Sequence, residues 1–196
     1  MMKKITLMFT LMTISLGYSQ SLPFDFSDPA QLMTGQEGTT ASIIDDAGND
    51  VMEVIGGTAD WDHVSITFAE NVDLSDDANN TMTFRIKPTT DLGTRNHLLK
   101  FEGGVGGAAA TELAFTSTGT AWQDITLDMP AGAGNYPTMI IFTDAGGGAA
   151  TGTYLIDDVA CTCSNIAPPP PPEAFLPIYF SDAYELFSGE GAVTSL

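Results

Sequence analysis

Three runs constrain this chain most: Trp61 to Phe68 (WDHVSITF), Thr81 to Lys87 (TMTFRIK) and Asn96 to Glu102 (NHLLKFE). Each alternates apolar and polar residues with period two, the pattern of half-buried strands. Val64, Ile66 and Phe68 share one face, as do Met82, Phe84 and Ile86, and Leu99 and Phe101; these faces are the expected core. The opposite faces carry Trp61, His63, Ser65 and Thr67, then Thr81, Thr83, Arg85 and Lys87, then Leu98, Lys100 and Glu102. An aromatic ring and most of the basic groups thus face solvent, an array that folding does not need. If the three strands are neighbours, Trp61, His63, Arg85, Lys87, Lys100 and Glu102 form a candidate binding surface; the alternative is a buried Trp61, with basic groups that only offset surrounding acids.

No run of ten or more residues has helical apolar spacing. The 20 glycines, with many Thr and Asp, favour strands and turns. Further strands read at 22–26, 39–44, 51–55, 111–116, 121–129, 137–143 and 153–160, separated by turn-forming residues. The apolar stretch Met139, Ile140, Ile141 and Phe142 fits a strand covered on both faces. About ten strands spaced this way predict an all-β chain, a two-layer antiparallel β-sandwich.

Residues 1–20 read as a secretory signal peptide: Lys3 and Lys4, an apolar stretch from Ile5 to Leu16, then small and polar residues up to a cleavage point after Ser19 or Gln20. The apolar stretch is too short for a bilayer span. The expected location is outside the cytoplasm, secreted, periplasmic or at the cell surface. Removing Lys3 and Lys4 leaves four basic residues, Arg85, Lys87, Arg95 and Lys100, against 25 acidic ones, a net charge of −21. That acidity argues against nucleic acid as a partner. Cys161 and Cys163 are the only cysteines. In a flat strand they would sit about 6.6 Å apart, so a bond between them needs a bend; a local or an intermolecular disulfide is favoured over zinc, which lacks a convincing set of four ligands.

The main module is expected to span 21–164, followed by a proline-rich linker at 165–175. Pro168 to Pro172 form a stiff spacer of about 15 Å at ~3.1 Å per residue. Beyond it, LPIYFSD (Leu176 to Asp182) repeats LPFDFSD (Leu22 to Asp28) at five of seven positions. Residues 176–196 therefore read as the truncated start of a second module, which makes the expected full-length protein longer and modular.

The order of LPFDFSD, DVMEV, WDHVSITF, HLLKFEG, AWQDITLDM, MIIFTDAG and TYLIDDV before a proline linker resembles the carbohydrate-binding jelly-roll modules of secreted bacterial glycoside hydrolases, laminarinase-type enzymes above all. The resemblance covers Leu22 to Cys163. It implies a jelly-roll sandwich, a polysaccharide partner bound on a sheet face or at the loop ends, and a structural calcium tying the first strand to the last. Carried onto this sequence, the calcium ligands are Asp25 with Asp157 or Asp158; a charged strand end is the other reading of that Asp pair.

Catalytic patterns are missing. His63 and His97 are not in an HExxH arrangement, and there is no G-x-S-x-G elbow and no Walker loop. The E-x-D-x-x-E strand motif of laminarinase-like catalytic domains is absent too. The expected function is non-catalytic binding of a β-glucan-like polysaccharide. A structural or adhesive module is the alternative, and a polysaccharide hydrolase or lyase a weaker one.

Overall fold

The computed structural model describes residues 21–145 and 151–166. The expected signal peptide, residues 167–175 of the expected linker and the LPIYFSD recurrence lie outside them. Eleven strands follow in order: β1 (Thr34–Gln36), β2 (Thr40–Asp45), β3 (Asp50–Ile55), β4 (His63–Asp73), β5 (Thr81–Pro88), β6 (Arg95–Glu102), β7 (Thr111–Ser117), β8 (Gln123–Asp128), β9 (Asn135–Phe142), β10 (Thr153–Cys161) and β11 (Ser164–Ile166). The first sheet runs β1-β4-β9-β6-β7, with β11 also pairing β4; the second runs β2-β3-β10-β5-β8. Every pairing is antiparallel. This is the all-β sandwich that the alternation predicts. Among the described residues no helix is long and apolar enough to cross a membrane.

Alternation fills the space between the sheets. Val64, Ile66 and Phe68 of β4, Leu99 and Phe101 of β6, and Met139 and Ile141 of β9 meet Met82, Phe84 and Ile86 of β5 and Met52, Val54, Tyr154 and Ile156 of the second sheet, all buried. Phe84 packs edge-on against Phe115, with ring centroids 5.1 Å apart, and so joins β5 of one sheet to β7 of the other.

The ends of the module depart from the expected strands, and the cysteines form the expected local disulfide. The segment 22–26 makes only an isolated bridge, Phe24 to Val159, instead of a strand, yet it drives Phe24 and Phe26 fully into the core. β11 carries the sheet to Ile166, two residues past the expected boundary. Cys161 and Cys163 are joined to each other, with Cα atoms 5.1 Å apart, because Thr162 turns the chain between β10 and β11.

Candidate functional site

The outer face of the first sheet follows from its register. Ser65 of β4 pairs with Ile140 of β9, Ile140 with Lys100 of β6, and Lys100 with Glu112 of β7. One step along, Phe142 pairs with Leu98 and Leu98 with Ala114. The His63 ring lies 4.9 Å from Phe142. Leu98, Lys100, Ile140 and Phe142 of these rows form the floor of a cleft of about 770 Å³, and Glu37, Asp60, Trp61, His63, Glu102 and Glu112 also line it. The double-sided apolar character of β9 is thereby explained: Met139 and Ile141 enter the core, while Ile140 and Phe142 lie under the cleft.

Trp61 stands at the rim, 61% exposed, and meets Phe142 edge-on with centroids 6.0 Å apart. It sits in the turn before β4, and that turn is fastened by Asp62. The buried Asp62 carboxylate accepts hydrogen bonds from Thr39 Oγ1 at 2.9 Å and from the Gly57 backbone N–H. A Cβ on Gly57 would come within 2.8 Å of the Glu37 carbonyl oxygen, so the close approach of these two loops requires glycine there. His63 Nδ1 lies 2.8 Å from the Trp61 carbonyl oxygen. A carbonyl only accepts, so Nδ1 carries the proton and Nε2 is left as an acceptor.

Of the six residues expected on one surface, four come together here: Trp61, His63, Lys100 and Glu102. Arg85 and Lys87 do not. They lie on β5, which belongs to the opposite sheet, so the expectation of three neighbouring strands is corrected. Alternation assigns a residue to a face of its own strand; it carries no information about which sheet that strand joins. Sequence reasoning also missed Glu37, Asp60, Glu112, Ile140 and Phe142, which reach the cleft from strands and loops distant in sequence. The double-sided apolar run of β9 was the one available signal.

On the second sheet Arg85 and Lys87 are ion-paired. The Arg85 guanidinium contacts Asp157, and its Nε lies 2.8 Å from Asp158 Oδ2. Lys87 Nζ meets Asp46 Oδ2 at 2.8 Å, and this hydrogen bond holds the Asp46 carboxyl below the usual range. Both cations lie over the Trp122 ring, at 5.0 and 5.5 Å from its centroid. Trp122 Nε1 donates to Asp46 at 3.3 Å.

The expected calcium ligands sit around the Phe24 to Val159 bridge, with Asp25 and Asp158 one residue away from it on their respective segments. Asp25 is exposed, and its Oδ1 accepts from the Ser27 N–H and Oγ at 3.1 and 2.7 Å. Asp157 is 1% exposed; its Oδ2 accepts from Arg85 and from Asn49 Nδ2, and its Oδ1 is buried without a protein partner. Asp158, at φ 51°, begins the bulge that shifts the β10 to β5 register. Arg85 therefore takes the place of a counter-ion for Asp157 and Asp158. Among the described residues no three His, Cys, Asp or Glu gather as a metal site.

A further polar cluster lies inside the sandwich. His97 is fully buried; its Nδ1 accepts from the Asp144 N–H at 3.2 Å, which places the ring proton on Nε2, 2.7 Å from Ser117 Oγ. Ser117 is 1% exposed, so this Ser–His contact is a core hydrogen bond out of reach of substrate. The Asp144 carboxylate accepts from Tyr154 Oη at 2.6 Å and from the Gly152 N–H at 2.8 Å. Burial, with the Asp144 hydrogen bond and charge added, raises the Tyr154 hydroxyl pKa well above its usual value.

No protein-family model and no curated protein matches the sequence. Solved structures do share the fold. An exo-β-agarase structure superposes with a TM-score of 0.54 at 13% identity, over 78% of this chain and 26% of that one. The tandem CBM22-1–CBM22-2 domains of Paenibacillus barcinonensis Xyn10C give 0.50 at 14% identity, over 76% and 46%. The family 11 carbohydrate-binding module of Clostridium thermocellum, solved with a β-1,3-1,4-mixed-linked tetrasaccharide, gives 0.46 at 15% identity, over 71% and 92%. The chain spans about a quarter of the agarase structure and under half of the tandem one. At these identities the first two likenesses establish the architecture alone, a jelly-roll β-sandwich.

Proposed function

We propose that this protein is a non-catalytic polysaccharide-binding module of a secreted, modular protein, and that a β-glucan-like chain lies in the cleft against Trp61. The observation that carries the reading is Trp61 itself, a tryptophan 61% exposed at the rim of a half-apolar cleft, backed by Phe142 and fastened by the buried Asp62. Sugars present C–H patches ringed by hydroxyls. An exposed indole offers a plane for the first, and Lys100, Glu102, Glu112 and His63 Nε2 offer partners for the second. Weak affinity suffices when a module is linked to an enzyme, because the linkage raises the local concentration of substrate.

Stacking that covers roughly 50 to 80 Å² of the ring is worth about 1 to 2 kcal/mol at about 25 cal/mol per Å². Trp61→Ala is therefore expected to weaken glucan binding about tenfold while the protein melts as the wild type does. Titration of laminarin and mixed-linked glucan into both proteins, with melting curves alongside, checks this. Unchanged affinity in the folded variant removes Trp61 from the site, and a wild type that binds no glycan on a broad array points to the adhesive alternative.

Calcium belongs to the same proposal, supported by the buried, partnerless Oδ1 of Asp157 beside the Phe24 to Val159 bridge. An ion that binds only the folded state at a hundred times its Kd adds about 2.7 kcal/mol. Excess calcium is expected to raise the melting midpoint relative to chelator. Equal midpoints would leave Arg85 as the sole counter-ion of that corner.

A further inference from the structure

The cleft's charge balance is the reverse of what the sequence suggested. Four carboxylates line it, Glu37, Asp60, Glu102 and Glu112, and one ammonium, Lys100, which is already 3.0 Å from Glu102. The two other cations expected near Trp61, Arg85 and Lys87, are committed to aspartates of the opposite sheet, and Arg95 lies 3.7 Å from Asp144. Three carboxylates therefore stand in excess, on a floor made apolar by Leu98, Ile140 and Phe142. Low-dielectric walls focus such a field into the cleft instead of letting water disperse it.

We infer that this cleft is a charge sieve: it admits an uncharged polysaccharide and turns away the same backbone once it carries sulfate or carboxylate groups, with Glu37, Asp60 and Glu112 setting that specificity. The inference rests on the proposed glycan site at Trp61 and adds its ligand class. A neutral chain presents hydroxyl donors, which carboxylates accept well, so hydrogen bonds offset the desolvation of the acids. An anionic substituent meets like charge, and the one ammonium among the described lining residues is already paired with Glu102. Rejection of the wrong ligand by repulsion is a common source of specificity.

The test compares a soluble β-glucan with its carboxymethylated and sulfated derivatives, titrated into the full chain at about 10 mM and about 1 M salt, where the screening lengths are ~30 and ~3 Å. The derivatives are expected to bind about tenfold or more weakly at low salt, with most of that gap closing at high salt. Because the whole protein is acidic, the locality of the effect is checked with variants. Asp60→Asn with Glu112→Gln should narrow the low-salt gap severalfold, whereas Asp50→Asn with Glu53→Gln, the same charge change on the second sheet, should leave most of it. Equal relief from both pairs would mean that overall charge is responsible and would overturn the inference, as would derivatives that bind as well as the parent glucan at low salt. If neither the parent nor its derivatives bind, the glycan site itself fails, and the sieve with it.

Discussion

Arg85→Ala is expected to lower the unfolding free energy by about 3 kcal/mol at pH 7, the low end of the range for leaving one partner of a buried ion pair alone. The reason is an asymmetry of exposure. Asp157 is 1% exposed and Arg85 34%, so removing the guanidinium strands a carboxylate that water can reach only through the gap left behind. Asn49 would remain as its one donor. One control separates this from lost packing. Arg85→Met combined with Asp157→Leu should recover most of the loss, since replacing both charges removes the desolvation penalty altogether. Denaturant melts of the three proteins at pH 7 measure it; a single variant within about 0.5 kcal/mol of wild type, the scale of an ordinary surface change, would show the pair to be dispensable.

The second large effect is acid destabilisation through His97. Burial depresses its pKa from 6.5 to about 4, with Asp144 opposing and the Arg95 charge adding to the shift. Above pH 6.5 the imidazole is neutral in both folded and unfolded chains, and it contributes its full share of stability. As pH falls below 6.5 the unfolded chain takes up a proton that the folded one refuses, so stability declines until about pH 4, where the folded imidazole also protonates. At 1.36 kcal/mol per pH unit the total is about 3 kcal/mol. Charging the ring also turns Nδ1 into a donor facing the Asp144 N–H, which breaks the bond that closes the cluster. The depressed carboxyls Asp25, Asp46 and Asp76 lose their contributions only at lower pH, below their ordinary 3.8, so the window from 6.5 to 4 isolates the histidine. His97→Gln is expected to be less stable at pH 7 yet to show a shallower slope across that window. An identical slope in both proteins would assign the acid sensitivity elsewhere.

The two predictions concern polar groups whose place in the fold the sequence reveals only in part. His97 shares the parity of Leu99 and Phe101 on β6, so its inward direction is readable from alternation. What receives it is not: Ser117 and Asp144 lie 20 and 47 residues away. Arg85 is the reverse case. Its parity on β5 correctly turns it away from the core, and the error was to place β5 beside β4 and β6.

Period-two alternation thus determined, without any coordinates, that the chain is built of strands, which residues of each face inward, and that two layers close on an apolar core. Those are local properties, because successive side chains of a strand must point to opposite faces. Partnership between strands is different. It is decided by which edges meet, and here β9, remote in sequence, enters between β4 and β6 while β5 crosses to pair with β10. That one crossing sets Trp61 and His63 over Phe142 and Ile140, sends Arg85 and Lys87 to the other side of the sandwich, and leaves the cleft acidic where the sequence alone suggested a basic one.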